Sequence, residues 1–200
     1  MINDIIVIDD VISKNYRDII EKETVYNLDM PWYYTPSITK RIDADKNIDA
    51  DSDGWGHEFY NKNKGGSTSR ITDLLLPLMY EATSQIQFVP KSILWARVFL
   101  TFPRIKDVLA RPHNMLHVDA HDPHLVCLYY VNDSTGNTII TDATFDQYKE
   151  DVINNVSPPP KIIKSIEPKK GRVVLFDGRF YHASTNPIAN RRCIINFDVN

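Results

Sequence analysis

The sequence predicts an α+β protein, mainly β: a jelly roll supported on one side by N-terminal helices. Helical periodicity is confined to residues 1–90. From Ser92 onward the apolar period changes to that of strands. Short apolar runs then follow one another, separated by turn markers at the spacing of a many-stranded antiparallel fold. The expected organisation is one domain over 1–200, with helical support and a candidate lid in 1–90 and the jelly-roll core in 91–200.

Residues 5–10 read as a short strand ending in a polar turn. A helix is expected over 13–27, with Ser13 as N-cap and Tyr16, Ile19, Ile20 and Glu23 at helical spacing. Pro31-Trp32-Tyr33-Tyr34 is an aromatic cluster expected to pack on the core, with lining a rim the second reading. Residues 40–66 begin as a polar, Asp-rich segment, which makes them the candidate lid. The run Asp49-Ala50-Asp51-Ser52-Asp53-Gly54 also invites a calcium-loop reading, but the twelfth-position Glu and the flanking helices are lacking. Trp55, His57, Phe59 and Tyr60 resume strand-like content. A second helix is expected from Ser67 to about Gln87, ended or kinked at Pro77.

The strand region opens with residues 93–101, where Arg97 either snorkels outward or points into a polar cavity. Further strands are expected at 125–131, 137–140, 161–166, 172–176, 180–183 and 192–197. Their turns are marked by Asp133-Ser134-Thr135-Gly136, prolines 158–160, Lys170-Gly171 and Asp177-Gly178. Residues 142–154 are left for a short helix or an excursion.

Composition narrows the functional classes. A net charge of −3 gives no broad electrostatic reason to expect a nucleic-acid partner. No run approaches the roughly 18 apolar residues of a membrane span. The first residues, Met1-Ile2-Asn3-Asp4-Ile5, lack the basic start and apolar core of a signal peptide. Cys127 and Cys193 sit inside apolar runs and are expected to be buried free thiols, so a cytoplasmic setting is expected.

The chemistry-bearing residues are His117-Val118-Asp119, His182 and, ten residues further, Arg192. A His-x-Asp pair presents two ligands on one side of an extended segment, and a distant His can complete a facial set. Two imidazoles and one carboxylate leave open positions on an octahedral metal, the arrangement of non-haem Fe(II) oxygenases. An antiparallel hairpin between the strands of His182 and Arg192 would bring those residues close. An arginine fork there suits a carboxylate held at two points. A ligand that chelates at one end and carries an acid at the other fits both features, and 2-oxoglutarate is such a molecule. A rival zinc reading uses His113, His117, His121 and His124, with His117 and His121 one helical turn apart. No Glu follows His117 to serve as a metalloprotease base, and Asp122-Pro123 would break the helix. A third reading is a non-catalytic jelly roll, a binding module or structural protein, in which these residues are unconnected.

The segment from Trp95 to Asn200 resembles the 2-oxoglutarate- and Fe(II)-dependent oxygenases, specifically the prolyl 4-hydroxylase-like branch and small phage-type relatives. The matching text is Leu116-His117-Val118-Asp119, residues 127–132, Gly136-Asn137-Thr138, residues 171–177, His182-Ala183 and Arg192. The resemblance implies a double-stranded β-helix in which His117, Asp119 and His182 bind iron. It also implies that Arg192 pairs with the far carboxylate of 2-oxoglutarate and that Tyr130 helps to hold it. Asn114, Arg97, Thr138 and Asn196 are further candidates to line the pocket. The implied reaction consumes 2-oxoglutarate and O2, hydroxylates a C–H bond and releases succinate and CO2, with ascorbate a candidate reductant. Prolyl groups of a peptide or protein are the implied substrate, with a small molecule the second choice and oligomeric state left open. Two departures stand out. Many relatives carry Gly-Gly-Glu-Thr where this chain has Thr135-Gly136-Asn137-Thr138. The second arginine of nucleic-acid demethylases would fall at Asp198, which disfavours nucleobase repair.

Overall fold

Two antiparallel sheets face one another, and two helices cover the outer face of the larger sheet. The computed structural model describes residues 4–39, 52–104 and 112–200. In chain order these form β1 (Ile6–Ile8), α1 (Lys14–Val25), β2 (Tyr33–Thr35), β3 (Gly54–Asn61), β4 (Gly66–Ser67), α2 (Thr72–Ser84), β5 (Ile93–Thr101) and β6 (Leu125–Tyr130). The chain continues through β7 (Thr138–Thr144), α3 (Glu150–Ile153), β8 (Ile162–Ile166), β9 (Val173–Asp177), β10 (Phe180–Ser184) and β11 (Arg192–Val199). The larger sheet runs β1-β9-β6-β11-β5-β3-β2 with β4 on β3, and the smaller runs β10-β7-β8. This is the expected mainly-β jelly roll with helices on one side.

Period two sorts the central strands of the larger sheet, β5, β6, β9 and β11, into two faces that are both largely buried. On the helix side, Ala96, Val98 and Leu100 of β5, Cys127 and Tyr129 of β6, and Ile195 and Phe197 of β11 pack against Ile20 of α1 and Leu75, Leu78 and Met79 of α2. Each such large side chain contributes about 1.5–3 kcal/mol by leaving water. On the other side, Val126, Leu128, Tyr130, Val174, Phe176 and Ile194 meet Ile140 and Ile166 of the smaller sheet. A third cluster, including Leu116, Val118 and Tyr181, lies on the smaller sheet's far face. Both cysteines are buried and free, as expected.

The helices follow their local chemistry. Ser13 Oγ accepts the Tyr16 backbone N–H and caps α1. The α2 helix starts at Thr72, later than expected, because Ser67 is drawn into the β3–β4 pairing. Pro77 lies inside α2 without ending it: its buried neighbours Leu75, Leu78 and Met79 fasten the helix to the sheet.

Two expectations change. Tyr33 and Tyr34 do not pack on the core; β2 is the edge strand, and both rings are exposed while Trp32 packs inward. The second half of the candidate lid is sheet, because residues 54–61 form β3 with Phe59 fully buried. Residues 40–51, which carry the rest of that expectation and most of the calcium-loop reading, lie outside the described residues. Among the described residues no helix is long and apolar enough to cross a membrane.

Candidate metal centre

Backbone pairing puts the two histidines side by side. His117 and His182 form an isolated antiparallel bridge, His117 N–H donating to His182 O at 3.0 Å and His182 N–H to His117 O at 3.1 Å. Directly opposed residues project to the same face, and the two rings lie 4.5 Å apart. Val118 turns the other way into the far cluster, so Asp119 returns to the histidine side. One ligand atom from each of His117, Asp119 and His182 lies within 4.8 Å of the others.

The histidine tautomers follow from their neighbours. The His117 Nδ1 faces the Met115 carbonyl at 3.1 Å and the His182 Nδ1 faces the Phe180 carbonyl at 3.0 Å. A carbonyl only accepts, so each Nδ1 carries a proton and Nε2 is the nitrogen left to bind a metal. Such outer hydrogen bonds orient metal-binding imidazoles. Burial opposes ionisation of Asp119, but Arg97, then His182 and His117, outweigh it and hold the carboxyl well below its ordinary range. Two imidazole nitrogens and a carboxylate on one face suit a divalent transition metal with positions left open.

The triad opens into a cavity of about 550 Å3, its open mouth included. Its walls come from Phe99 and Thr101 of β5, Leu128 of β6, Thr138 of β7, Ser184 of β10 and Ile194 of β11, together with Ile38. At one end stands Arg192, buried to 4% exposure. It donates through Nε to Gly136 O at 2.7 Å and through Nη2 to Thr138 Oγ1 at 2.9 Å. Desolvation lowers its pKa, and among the described residues no carboxylate compensates the charge. The Tyr130 hydroxyl donates to the same Thr138 Oγ1 at 2.6 Å. With Tyr130 and Arg192 both donating to it, Thr138 keeps its own hydroxyl proton to offer a ligand. Tyr130 itself does not line the cavity; it stands behind Thr138 and Arg192, whose Cζ is 5.6 Å from its ring. Gly136 allows this arrangement, since a Cβ there would meet Arg192 Cδ and Thr185 O, both at 2.9 Å.

At the opposite end stand Arg97 and Asn196, both buried. Arg97 therefore points into the cavity and pairs with Asp119 rather than snorkelling outward. Asn114, expected to line the pocket, does not: it is buried beside Ser184, donating to Ser184 Oγ and accepting from Ser52 N–H, both at 2.9 Å.

The expected hairpin between His182 and Arg192 does not form. β10 belongs to the smaller sheet and β11 to the larger, so the two residues meet by facing each other across the cavity. The zinc cluster does not assemble either: the only such cluster among the described residues is His117, Asp119 and His182. His124 is buried against the β9–β10 turn, where a Cβ on Gly178 would strike its ring. Sequence reasoning gave no role to Asp198, which is fully buried behind Asn196. The available signal was Arg192, Asn196 and Asp198 at even spacing in an apolar strand, hence on one face.

No protein-family model matches the sequence, and no curated protein matches it. Solved structures do. A 2OG-Fe(II) oxygenase family oxidoreductase from Burkholderia pseudomallei is 9% identical with a TM-score of 0.66, over 98% of this chain and 84% of its own. A prolyl hydroxylase from Trichoplax adhaerens, in complex with a hypoxia inducible factor peptide fragment, is 14% identical with a TM-score of 0.60, over 98% and 83%. The non-heme alpha ketoglutarate dependent epimerase SnoN from nogalamycin biosynthesis is 11% identical with a TM-score of 0.63, over 98% and 77%. At these identities the likeness is one of fold.

Proposed function

We propose that the chain is a single-domain Fe(II)- and 2-oxoglutarate-dependent dioxygenase that hydroxylates a C–H bond. The observation that carries this reading is Arg192: a buried guanidinium without a carboxylate partner among the described residues, in the same cavity as a His-Asp-His set. A buried cation of this kind is costly until an anion meets it. An iron ion held there would supply the oxidising chemistry by which 2-oxoglutarate, O2 and a C–H bond become succinate, CO2 and an alcohol.

The residues divide the work. His117, Asp119 and His182 hold the metal, their Nδ1 hydrogen bonds fixing the imidazoles. Arg192 and the Thr138 hydroxyl receive the far carboxylate of 2-oxoglutarate. Tyr130 acts from behind, directing the Thr138 hydroxyl. Phe99, Leu128 and Ile194 exclude water and strengthen every polar contact inside. A prolyl residue in a peptide or protein is the substrate we favour, with a small molecule second, as the neighbours' mixture of a peptide complex and a biosynthetic epimerase suggests. A reducing cytoplasm would keep Cys127 and Cys193 as thiols, and ascorbate would serve as reductant.

The test is O2-dependent conversion of 2-oxoglutarate to succinate by the Fe(II)-loaded protein, with Asp119→Ala and His182→Ala alongside. Turnover by the wild type and its loss in both variants is expected. Purified protein that binds neither iron nor 2-oxoglutarate would leave a non-catalytic jelly roll as the answer. Proline-containing peptides screened against free amino acids then separate the substrate classes.

A further inference from the structure

We propose that Arg97, seated on Asp198, is a positioning residue that occupies one oxygen of Asp119 so that only the other is offered to the metal. The inference rests on the metal-site reading above. Arg97 Nη2 donates to Asp119 Oδ1 at 2.6 Å, the short distance of a charge-assisted bond. The other oxygen, Oδ2, is the one turned to the triad, 3.3 Å from His182 Nε2.

The guanidinium is not free to leave. Its Cζ lies 3.6 Å from the centre of the Trp95 ring and 5.1 Å from that of Phe99, the residues two before and two after it on β5. These rings flank it on the same strand face. Behind it, Asp198 Oδ2 stands 3.5 Å from Nη2. Asn196 braces the same pair, its Nδ2 reaching Asp119 Oδ2 and Asp198 Oδ1, each at 3.1 Å. Register explains the convergence: Asn196 is directly opposite Arg97, and Asp198 is opposite Trp95.

The chemical consequence concerns the number of open positions. A carboxylate bound through both oxygens takes two coordination sites, while one bound through a single oxygen takes one and leaves the other sites for exogenous ligands. With Oδ1 committed to Arg97, Asp119 is confined to the second mode and cannot rotate to chelate. Arg97 thus acts on the metal through Asp119.

The test uses Co(II) as probe with the purified full chain under anaerobic conditions, reading both affinity and the visible absorption band, which reports coordination number. Arg97→Met, Arg97→Lys and Asp198→Asn are compared with wild type, folding being checked by circular dichroism. Arg97→Met is expected to bind Co(II) roughly 10–100-fold more weakly, the usual effect of removing an outer partner of a ligand, with a changed band. Arg97→Lys should restore part of the affinity, and Asp198→Asn should shift both readouts in the same direction by less. Wild-type affinity and band in folded Arg97→Met and Asp198→Asn would overturn the proposal while leaving the metal site standing. If Arg97→Met does not fold, unchanged affinity and band in Asp198→Ala, which withdraws the carboxyl from both Arg97 and Asn196, overturns it alone. Absence of Co(II) binding by the wild type, matching Asp119→Ala, would overturn both this proposal and the site itself.

Discussion

Arg97 and Arg192 line the same cavity from neighbouring strands, are buried to 6% and 4% exposure, and have opposite electrostatic settings. Arg97 has Asp119 at 2.6 Å and Asp198 at 3.5 Å. Arg192 has a carbonyl, a hydroxyl and the face of Tyr130, and no carboxylate among the described residues. In a low-dielectric interior the first is a completed ion pair and belongs to the architecture. The second carries a desolvation cost that an anionic ligand would offset. Partners, and not burial, distinguish a structural arginine from one that awaits a ligand.

The largest expected effect is on stability. Arg97→Met leaves the ionised Asp119 buried without its cation and should cost about 3–5 kcal/mol, a fall in Tm on the order of 10 °C for a chain of this size. Arg192→Met removes a charge that nothing compensates, so the ligand-free protein should lose less than about 1 kcal/mol or gain stability. The same change should weaken 2-oxoglutarate at least ~30-fold, since losing one partner of a buried charge pair costs about 2–5 kcal/mol. Thermal unfolding with and without 2-oxoglutarate measures both. If the two variants lose equal stability without ligand, the distinction drawn between the arginines fails.

Gly136→Ala sharpens the Arg192 side of the contrast. The added Cβ would meet Arg192 Cδ and the Thr185 carbonyl at 2.9 Å and the Pro187 nitrogen at 3.1 Å, and backbone atoms give way poorly. The variant should lose about 1–3 kcal/mol of stability by overpacking. Titration with 2-oxoglutarate should also show weaker binding, because the guanidinium is pushed off the Gly136 carbonyl, with Co(II) affinity unchanged. A loss of Co(II) binding instead would mean that the two ends of the cavity are not independent.

What the sequence disclosed about these ends follows from range. The strands were legible because each is a local apolar run, and His117-x-Asp119 because its geometry is set within three residues. Sheet membership was not legible: β10 and β11 are consecutive, yet they fall in different sheets through pairings of long sequence separation. Arg97 stayed undecided because both faces of β5 are buried, so alternation does not say which face holds the cavity. Asp198 was noted only as a missing arginine, although its even spacing with Arg192 and Asn196 stood in the sequence; that it meets Arg97 depends on the pairing of β11 with β5. Tyr33 and Tyr34 failed the aromatic-packing expectation because β2 is an edge, a property of the assembled sheet.

A third arginine supplies the smallest effect and separates geometry from environment. Arg172 grips Asp9 in a bidentate pair, Nε to Oδ1 at 2.7 Å and Nη2 to Oδ2 at 3.1 Å, with Lys169 on Oδ2 at 2.7 Å. By geometry this is a better fork than Arg97 on Asp119. It lies near solvent, with the Asp9 side chain 34% exposed. The hydrogen bonds from Arg172 and Lys169 bring the Asp9 carboxyl down to about 2 from an ordinary 3.8. The folded value is the lower one, so the contribution is present above the unfolded value and is lost as pH falls from about 4 towards 2. Solvent screening limits it to under about 1 kcal/mol. Asp9→Asn should therefore flatten the acid limb of the stability curve between pH 4 and 2 and lower Tm only slightly at pH 7. Denaturant titrations across that range, repeated in 1 M salt where the difference should shrink, measure it. A loss at pH 7 as large as that of Arg97→Met would show that fork geometry outweighs burial in setting what an arginine contributes.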